Sequence, residues 1–60
     1  MIKLTLLGTD IPIYINVAFI ISIATSLEKG NTVITILGRK YELFVNESVE
    51  YIISKMDEIL

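Results

Sequence analysis

The chain of 60 residues contains no cysteine, no histidine and no tryptophan, and it has a single proline. Without cysteine no disulfide can hold the fold together, and the His/Cys zinc sites are excluded. General acid–base catalysis at neutral pH most often uses histidine, so an enzyme would need a carboxylate or a lysine with a strongly shifted pKa. The sequence therefore argues against an enzyme and predicts no catalytic residue, no metal site and no cofactor.

The chain also lacks a surplus of positive charge. It has five Lys and Arg against seven Asp and Glu, which gives a net charge of −2. A chain without a basic surplus has no global field to attract a phosphate backbone, so nucleic-acid binding is not expected. The three glycines form neither a dinucleotide-binding motif nor a P-loop, and the acidic residues lack the spacing of a calcium loop. Recognisable ligand motifs are therefore absent from the sequence.

The longest apolar run extends from Ile11 to Ala24 and is interrupted by Pro12 and Asn16. A helix that spans a bilayer needs about 20 mostly apolar residues. The first residues lack both a long apolar stretch and a small-x-small cleavage site, so we expect the mature chain to start at Met1. We therefore expect no membrane span and a cytoplasmic location, for a bacterial protein or for a phage-encoded protein that acts in the bacterial cytoplasm.

Apolar residues nevertheless make up 53% of the chain, against about 45–50% in a typical domain counted with glycine. A domain this short buries only about 60% of the surface that its unfolded chain exposes. Below roughly 70–80 residues a single core seldom supplies more than about 3–5 kcal/mol of stability. We therefore predict that the chain hides its apolar surplus by forming a homo-oligomer.

Apolar and polar residues alternate with a period of two through most of the chain, which is typical of half-buried strands. Turn signals at Gly8, Gly30 and Gly38 separate the apolar runs. We predict strands over about 2–7, 11–16, 20–26, 32–37 and 41–45. The last of these strands would place Tyr41 on one face with Leu43 and Val45.

From Ser48 onward the apolar period changes to 3.6, which predicts an amphipathic helix over about 48–60. Asn46 or Ser48 would cap the helix, and Glu47 and Glu50 would lie where its dipole favours negative charge. One stripe carries the apolar residues Val49, Ile52, Ile53, Met56, Ile59 and Leu60. The predicted fold class is α+β, a single domain over 1–60 with a small antiparallel five-stranded sheet or partly open barrel followed by one C-terminal helix.

Two adjacent cations and an aromatic ring mark the turn Gly38-Arg39-Lys40-Tyr41. Arginine offers a fork of donors and tyrosine a stacking face, so a small anion or an acidic partner could dock there. The alternative interpretation is that both cations are ordinary solubilising turn residues. The candidate ligand-binding residues are Arg39, Lys40, Tyr41, Tyr14 and Asn16.

The segment from Val17 to Ile23 does not alternate, so apolar side chains point to both of its sides. A segment that is apolar on both sides needs two covers. The C-terminal helix would supply one of them, and a second copy of the chain or a target protein would supply the other. The predicted interface residues are Val17, Phe19, Ile21 and Phe44, although ordinary packing is the simpler explanation for Phe44 on its otherwise polar face.

Several short motifs occur in a characteristic order along the chain. They are M-I-K-L-T at 1–5, I-Y-I-N at 13–16, Ile20 and Ile23, T-V-I-T-I at 32–36, G-R-K-Y at 38–41 and V-N-E-S-V-E at 45–50. This set resembles the FlbD family of small bacterial proteins, called SwrD in swarming species, which are associated with flagellar operons and motor output. The resemblance covers nearly the whole chain and implies a shared architecture and a flagellar partner.

The chain departs from the FlbD pattern at three places in its middle. Family members usually carry Pro-Asp or a similar pair where this chain has Val17-Ala18, and an acidic residue where it has Ile21. They commonly carry Asn-Gly where this chain has Leu37-Gly38. The replacements make the middle of the molecule more apolar, where a partner surface would lie.

Two functions are compatible with these patterns. The first is a non-enzymatic protein-interaction module that self-associates and binds a protein partner, which is flagellar if the resemblance extends to function. The alternative is a phage-type oligomeric protein that binds or sequesters a small anionic ligand, such as a nucleotide signal, at pockets between subunits.

Overall fold

The computed structural model describes residues 1–28 and 31–59. Its elements are β1 (Ile2–Thr5), β2 (Pro12–Ile15), a short 3-10 helix (Val17–Phe19), β3 (Ile20–Thr25), β4 (Thr32–Ile36), β5 (Leu43–Val45) and α1 (Val49–Ile59). Two small antiparallel sheets and one C-terminal helix confirm the predicted α+β class. The centre of the predicted loop at 29–30 and the predicted last helical residue, Leu60, lie outside the described residues.

Backbone hydrogen bonds join the strands into two sheets and also link one sheet to the other. β1 pairs with β2, and β3, β4 and β5 form the second sheet in that order. A single bridge between Leu6 and Val45 connects the sheets, reinforced by hydrogen bonds from the Leu7 N–H to the Phe44 carbonyl (3.1 Å) and from the Asn46 N–H to the Thr5 carbonyl (3.0 Å). The resulting order is β2-β1-β5-β4-β3. Within the described part of the chain, β2 and β3 are therefore the two free edges.

The core lies between the two sheets and the helix. Alternate residues of the strands point inward because successive side chains of a strand face opposite sides. The buried apolar residues are Ile2, Leu4, Ile15, Ile34, Leu43, Val45 and Ile52. Of the predicted helical stripe, Ile52 is fully buried and Met56 packs against the core, whereas Ile53 and Ile59 are 48% and 46% exposed. The helix therefore buries only the centre of its apolar face.

The strands are shorter than the alternating pattern suggested, because turns begin before the apolar residues end. β1 ends at Thr5, and a turn follows in which the Thr9 N–H donates to the Leu6 carbonyl (3.1 Å). β5 begins only at Leu43, so Tyr41 precedes the strand and is 72% exposed. The prediction that Tyr41 shares the face of Leu43 and Val45 is wrong for this reason.

The turn after β4 depends on glycine. The Arg39 N–H donates to the Ile36 carbonyl (3.1 Å), and Gly38 has a φ of +84°, a conformation that a Cβ disfavours. A Cβ at this position would meet no atom within 4 Å, so any loss of stability comes from the backbone alone. A substitution of Gly38 therefore measures the cost of the backbone conformation without a contribution from steric clash.

We expect Gly38→Ala to lower the free energy of unfolding by about 1–2 kcal/mol. The control is Gly38→Asn, which should lose less because asparagine enters the left-handed region more readily. Urea unfolding followed by circular dichroism measures both variants. Equal losses for the two variants would contradict the backbone explanation.

The corner between β5 and α1 is fixed by three consecutive polar side chains. Asn46 holds the turn after β1, because its Oδ1 accepts from the Gly8 N–H (2.9 Å) and its Nδ2 donates to the Thr9 carbonyl (3.0 Å). Glu47 accepts two hydrogen bonds from Thr5, one from its N–H (2.9 Å) and one from its hydroxyl (2.8 Å). Ser48 caps the helix, since its Oγ accepts from the Tyr51 N–H (3.1 Å).

None of the helices in the described part of the chain has the length and apolar character needed to cross a membrane.

Candidate functional site

A cleft of about 420 Å³ lies beside the free edge of β2, bounded by the 3-10 helix and by the turn after β4. Three consecutive residues of β2, Ile13, Tyr14 and Ile15, line it. Because successive side chains of a strand face opposite sides, a cleft that touches all three meets the strand at its edge. The cleft therefore occupies a place that no neighbouring strand fills in the described structure.

The lining of the cleft is mainly apolar. Ile36 and Leu43 join the isoleucines of β2 in it, and the rings of Tyr14 and Phe19 also line the cleft. These two rings are 63% and 50% exposed. Phe19 ends the 3-10 helix, and the Leu37 N–H donates to its carbonyl (2.7 Å). The cleft therefore offers a flat apolar group contact with two aromatic side chains.

Two polar side chains complete the cleft. The Oδ1 of Asn16 accepts from the Ala18 N–H (3.0 Å), which caps the 3-10 helix and leaves the amide N–H groups as donors. Arg39 belongs to the turn after β4, where its N–H donates to the Ile36 carbonyl, and it also lines the cleft. Among the side chains that line the cleft in the described structure, Arg39 carries the only formal charge. The cleft thus combines a mainly apolar lining with one cationic side chain.

The structure divides the five residues that were predicted to bind an anion. Arg39, Tyr14 and Asn16 line one cleft. Lys40 and Tyr41 belong to the same turn as Arg39 but do not line the cleft, and the Lys40 Nζ lies 5.8 Å from the centre of the Tyr41 ring, within the range of a cation–π contact. The sequence pattern did not indicate that Phe19, Ile36 and Leu43 belong to the same site.

The four predicted interface residues have different environments. Ile21 is 62% exposed and lies where the register between β3 and β4 shifts. Phe19 lines the cleft. Val17 is half-buried and packs against the protein's own core, and Phe44 is half-buried on β5. Ile21 and Phe19 therefore offer more accessible apolar surface than the other two.

The β3 edge is a second accessible surface. β3 has the sequence I-I-S-I-A-T, without charge or proline, and β4 is its only paired neighbour in the described structure. The register places Ala24, Val33 and Phe44 in one row across the sheet and Ser22 beside Thr35 in the next. Since Thr32 and Ile34 point into the core, this row faces outward and carries no charge. We call these five residues the outward face.

A second, smaller cleft of about 280 Å³ lies between the start of β1 and α1. Lys3, Lys55 and Glu58 are among the residues that line it. The Lys55 Nζ lies 3.3 Å from a carboxylate oxygen of Glu58 and 5.6 Å from the centre of the Tyr51 ring. The carboxylate of Glu58 makes this lining less suited to an anion than the cleft beside β2.

Comparisons of the chain with protein-family models, with curated proteins and with solved structures gave no match.

Proposed function

We propose that this protein is a non-enzymatic interaction module of the bacterial cytoplasm that self-associates through β3 and binds a protein partner. The observation that carries the proposal is the β3 edge, which presents unpaired backbone groups next to an uncharged outward face. Natural proteins usually protect such edges with lysine, proline or a covering element. Here neither lysine nor proline occurs on the strand.

A second copy of the chain is the simplest occupant of this edge. An antiparallel pair of identical strands is self-complementary about a two-fold axis, because each contact is made twice. Pairing β3 with its copy would join two three-stranded sheets into one of six strands and would align their outward faces. The unpaired N–H and C=O groups of both edges would then be satisfied.

The area that a dimer must bury is a large part of this molecule's surface. A standard interface buries about 800 Å² on each partner, which is about a fifth of the 4218 Å² that the chain exposes. Pairing along the β3 edge would bury the backbone of the strand and side chains that β3 carries, among them Ile21, which is 62% exposed. Such burial adds to the small core of a chain that has no disulfide.

We propose that the protein partner binds a surface other than β3. Leu37 and Tyr41, around the turn after β4, are 63% and 72% exposed and lie outside β3. Exposed apolar side chains near a turn are suited to a partner that buries them. The resemblance to the FlbD family implies a component of flagellar assembly or of the motor as that partner.

We expect the wild-type protein to be a dimer or a larger oligomer at low micromolar concentration, and Ile21→Lys to be a monomer. Lysine on an edge strand opposes pairing because its charge must be desolvated next to its symmetry copy. The matched control is Ile11→Lys, since Ile11 is 55% exposed but lies outside β3. Light scattering coupled to size exclusion measures the mass, and circular dichroism verifies that each variant is folded.

A monomeric wild type, or dissociation by Ile11→Lys but not by Ile21→Lys, would overturn the β3 interface. The flagellar part is tested separately by titrating the purified protein against purified motor and basal-body proteins of the same organism. Binding that Leu37→Ser and Tyr41→Ser abolish would support it. Absence of binding to all of them would remove the flagellar partner and leave the self-association standing.

A further inference from the structure

The cleft beside β2 has the size and composition of a site for a small molecule. Its volume of about 420 Å³ falls within the range of about 300–1,000 Å³ that is usual for such sites. Small-molecule sites are typically apolar with a few polar groups that fix orientation. The lining of this cleft has the same composition, with aliphatic side chains, two aromatic rings and the polar groups of Asn16 and Arg39.

We propose that the cleft binds a small free molecule that consists of a planar aromatic ring and a single carboxylate. The ring would contact Tyr14 and Phe19, which line the cleft with half or more of their surface exposed. Aromatic rings favour offset or edge-to-face contact with each other, which adds to the burial of apolar area. Apart from Tyr14, Asn16 and Arg39, the side chains of the described lining have no polar group, so most of the ligand must be apolar.

The charge of the ligand is set by Arg39. A guanidinium can donate two parallel hydrogen bonds to one carboxylate. A phosphate monoester carries about −1.5 to −2 charges at neutral pH, and Arg39 is the one cationic side chain in the described lining of the cleft. The chain as a whole is acidic, with a net charge of −2. A monoanion therefore fits the cleft better than a phosphate.

Asn16 supplies the second polar contact. Because the Ala18 N–H occupies its Oδ1, the side chain presents its amide N–H groups. A donor in this position suits a carboxylate or another acceptor on the ligand. Arg39 and Asn16 would thus fix the polar end of the ligand while the rings hold the apolar end.

Three probe molecules separate the contribution of the aromatic ring to binding from that of the carboxylate. 2-Naphthoate carries both the ring and the carboxylate, 2-naphthalenemethanol carries the ring alone, and acetate carries the carboxylate alone. We expect saturable binding of 2-naphthoate with a Kd below about 1 mM, with amide shifts in NMR spectra centred on Tyr14, Phe19 and Arg39. The alcohol should bind roughly tenfold to a hundredfold more weakly, because the charge-assisted hydrogen bonds are lost. Acetate should show no saturation.

Arg39 and Lys40 are adjacent cations, so replacing each of them by glutamine gives a matched pair of variants. Arg39→Gln should weaken the binding of 2-naphthoate roughly tenfold or more and leave that of the alcohol nearly unchanged. Lys40→Gln removes the same charge from the same turn but outside the cleft, so it should change either affinity by less than about twofold.

The proposal is overturned if 2-naphthoate does not saturate, if the alcohol binds equally well, or if Lys40→Gln weakens binding as much as Arg39→Gln. Tighter binding of a peptide that ends in phenylalanine would replace the free molecule by a protein terminus. The titrations are repeated with Ile21→Lys, and binding that appears only in this monomer would mean that a second copy covers the cleft. If the wild-type protein is a monomer and still binds 2-naphthoate, the result contradicts self-association and supports binding in the cleft.

Discussion

Replacing Ile52 by alanine is expected to lower the free energy of unfolding by about 2–5 kcal/mol. Ile52 is fully buried and is the one residue of α1 that lies in the core of the described structure. Its truncation removes apolar contact and leaves a cavity between the helix and the strands. A core of this size supplies only about 3–5 kcal/mol, so much of the population should unfold at 25 °C.

The neighbouring residue provides the control. Ile53 is 48% exposed on the same helix, and Ile53→Ala makes the same chemical change with the same gain in helix propensity. We expect it to change the free energy of unfolding by less than about 0.5 kcal/mol. Urea titration with far-ultraviolet circular dichroism measures both variants. Similar losses for the two would mean that α1 does not pack as described.

The second large effect is expected at Glu47. Its carboxylate accepts hydrogen bonds from the N–H and from the hydroxyl of Thr5. Glu47→Ala would leave both partly buried groups without their acceptor, and the loss of such bonds to a charged group costs about 1.5–3 kcal/mol. Thermal and urea unfolding should both reveal this loss.

Glu50→Ala controls for the charge of Glu47 near the start of α1. Glu50 lies in the first turn of the helix and is exposed, so its removal reports the helix dipole, an effect of about 0.3–1 kcal/mol. Only the part of the loss in free energy of unfolding by which Glu47→Ala exceeds Glu50→Ala is attributed to the hydrogen bonds with Thr5. If the two variants lose the same amount, the carboxylate acts through the dipole alone and the role assigned to Thr5 is wrong.

Periodicity predicted the elements of this fold but not their ends. Ile2 and Leu4 on one strand and Leu43 and Val45 on another alternate in sequence and are buried in the structure. The ends depend on turns, whose hydrogen bonds compete with pairing. The helical stripe was likewise too wide, because periodicity reports which side of a helix is apolar and not how much of that side finds a partner.

The candidate site was predictable only in part. Arg39 and Tyr14 were recognised by their chemistry, yet their meeting in one cleft depends on how the turn after β4 packs near β2, which lies far from it in sequence. Lys40 was grouped with Arg39 because the two are adjacent, but adjacent residues of a turn project in different directions, and Lys40 lies over the ring of Tyr41. The contact of Glu47 with Thr5 has no local signal, since 42 positions separate the two residues.

The 42 positions that separate Thr5 from Glu47 affect how the chain folds during biosynthesis. The hairpin of β1 and β2 is complete after 15 residues, but its end is bonded to a segment that the ribosome makes only at positions 44–47. Pairing over so long a distance in sequence is slow because the intervening loop must close first. We therefore expect the hairpin of β1 and β2 to stay incompletely packed until residues 44–47 have emerged from the ribosome, so that it is exposed to chaperones during that time.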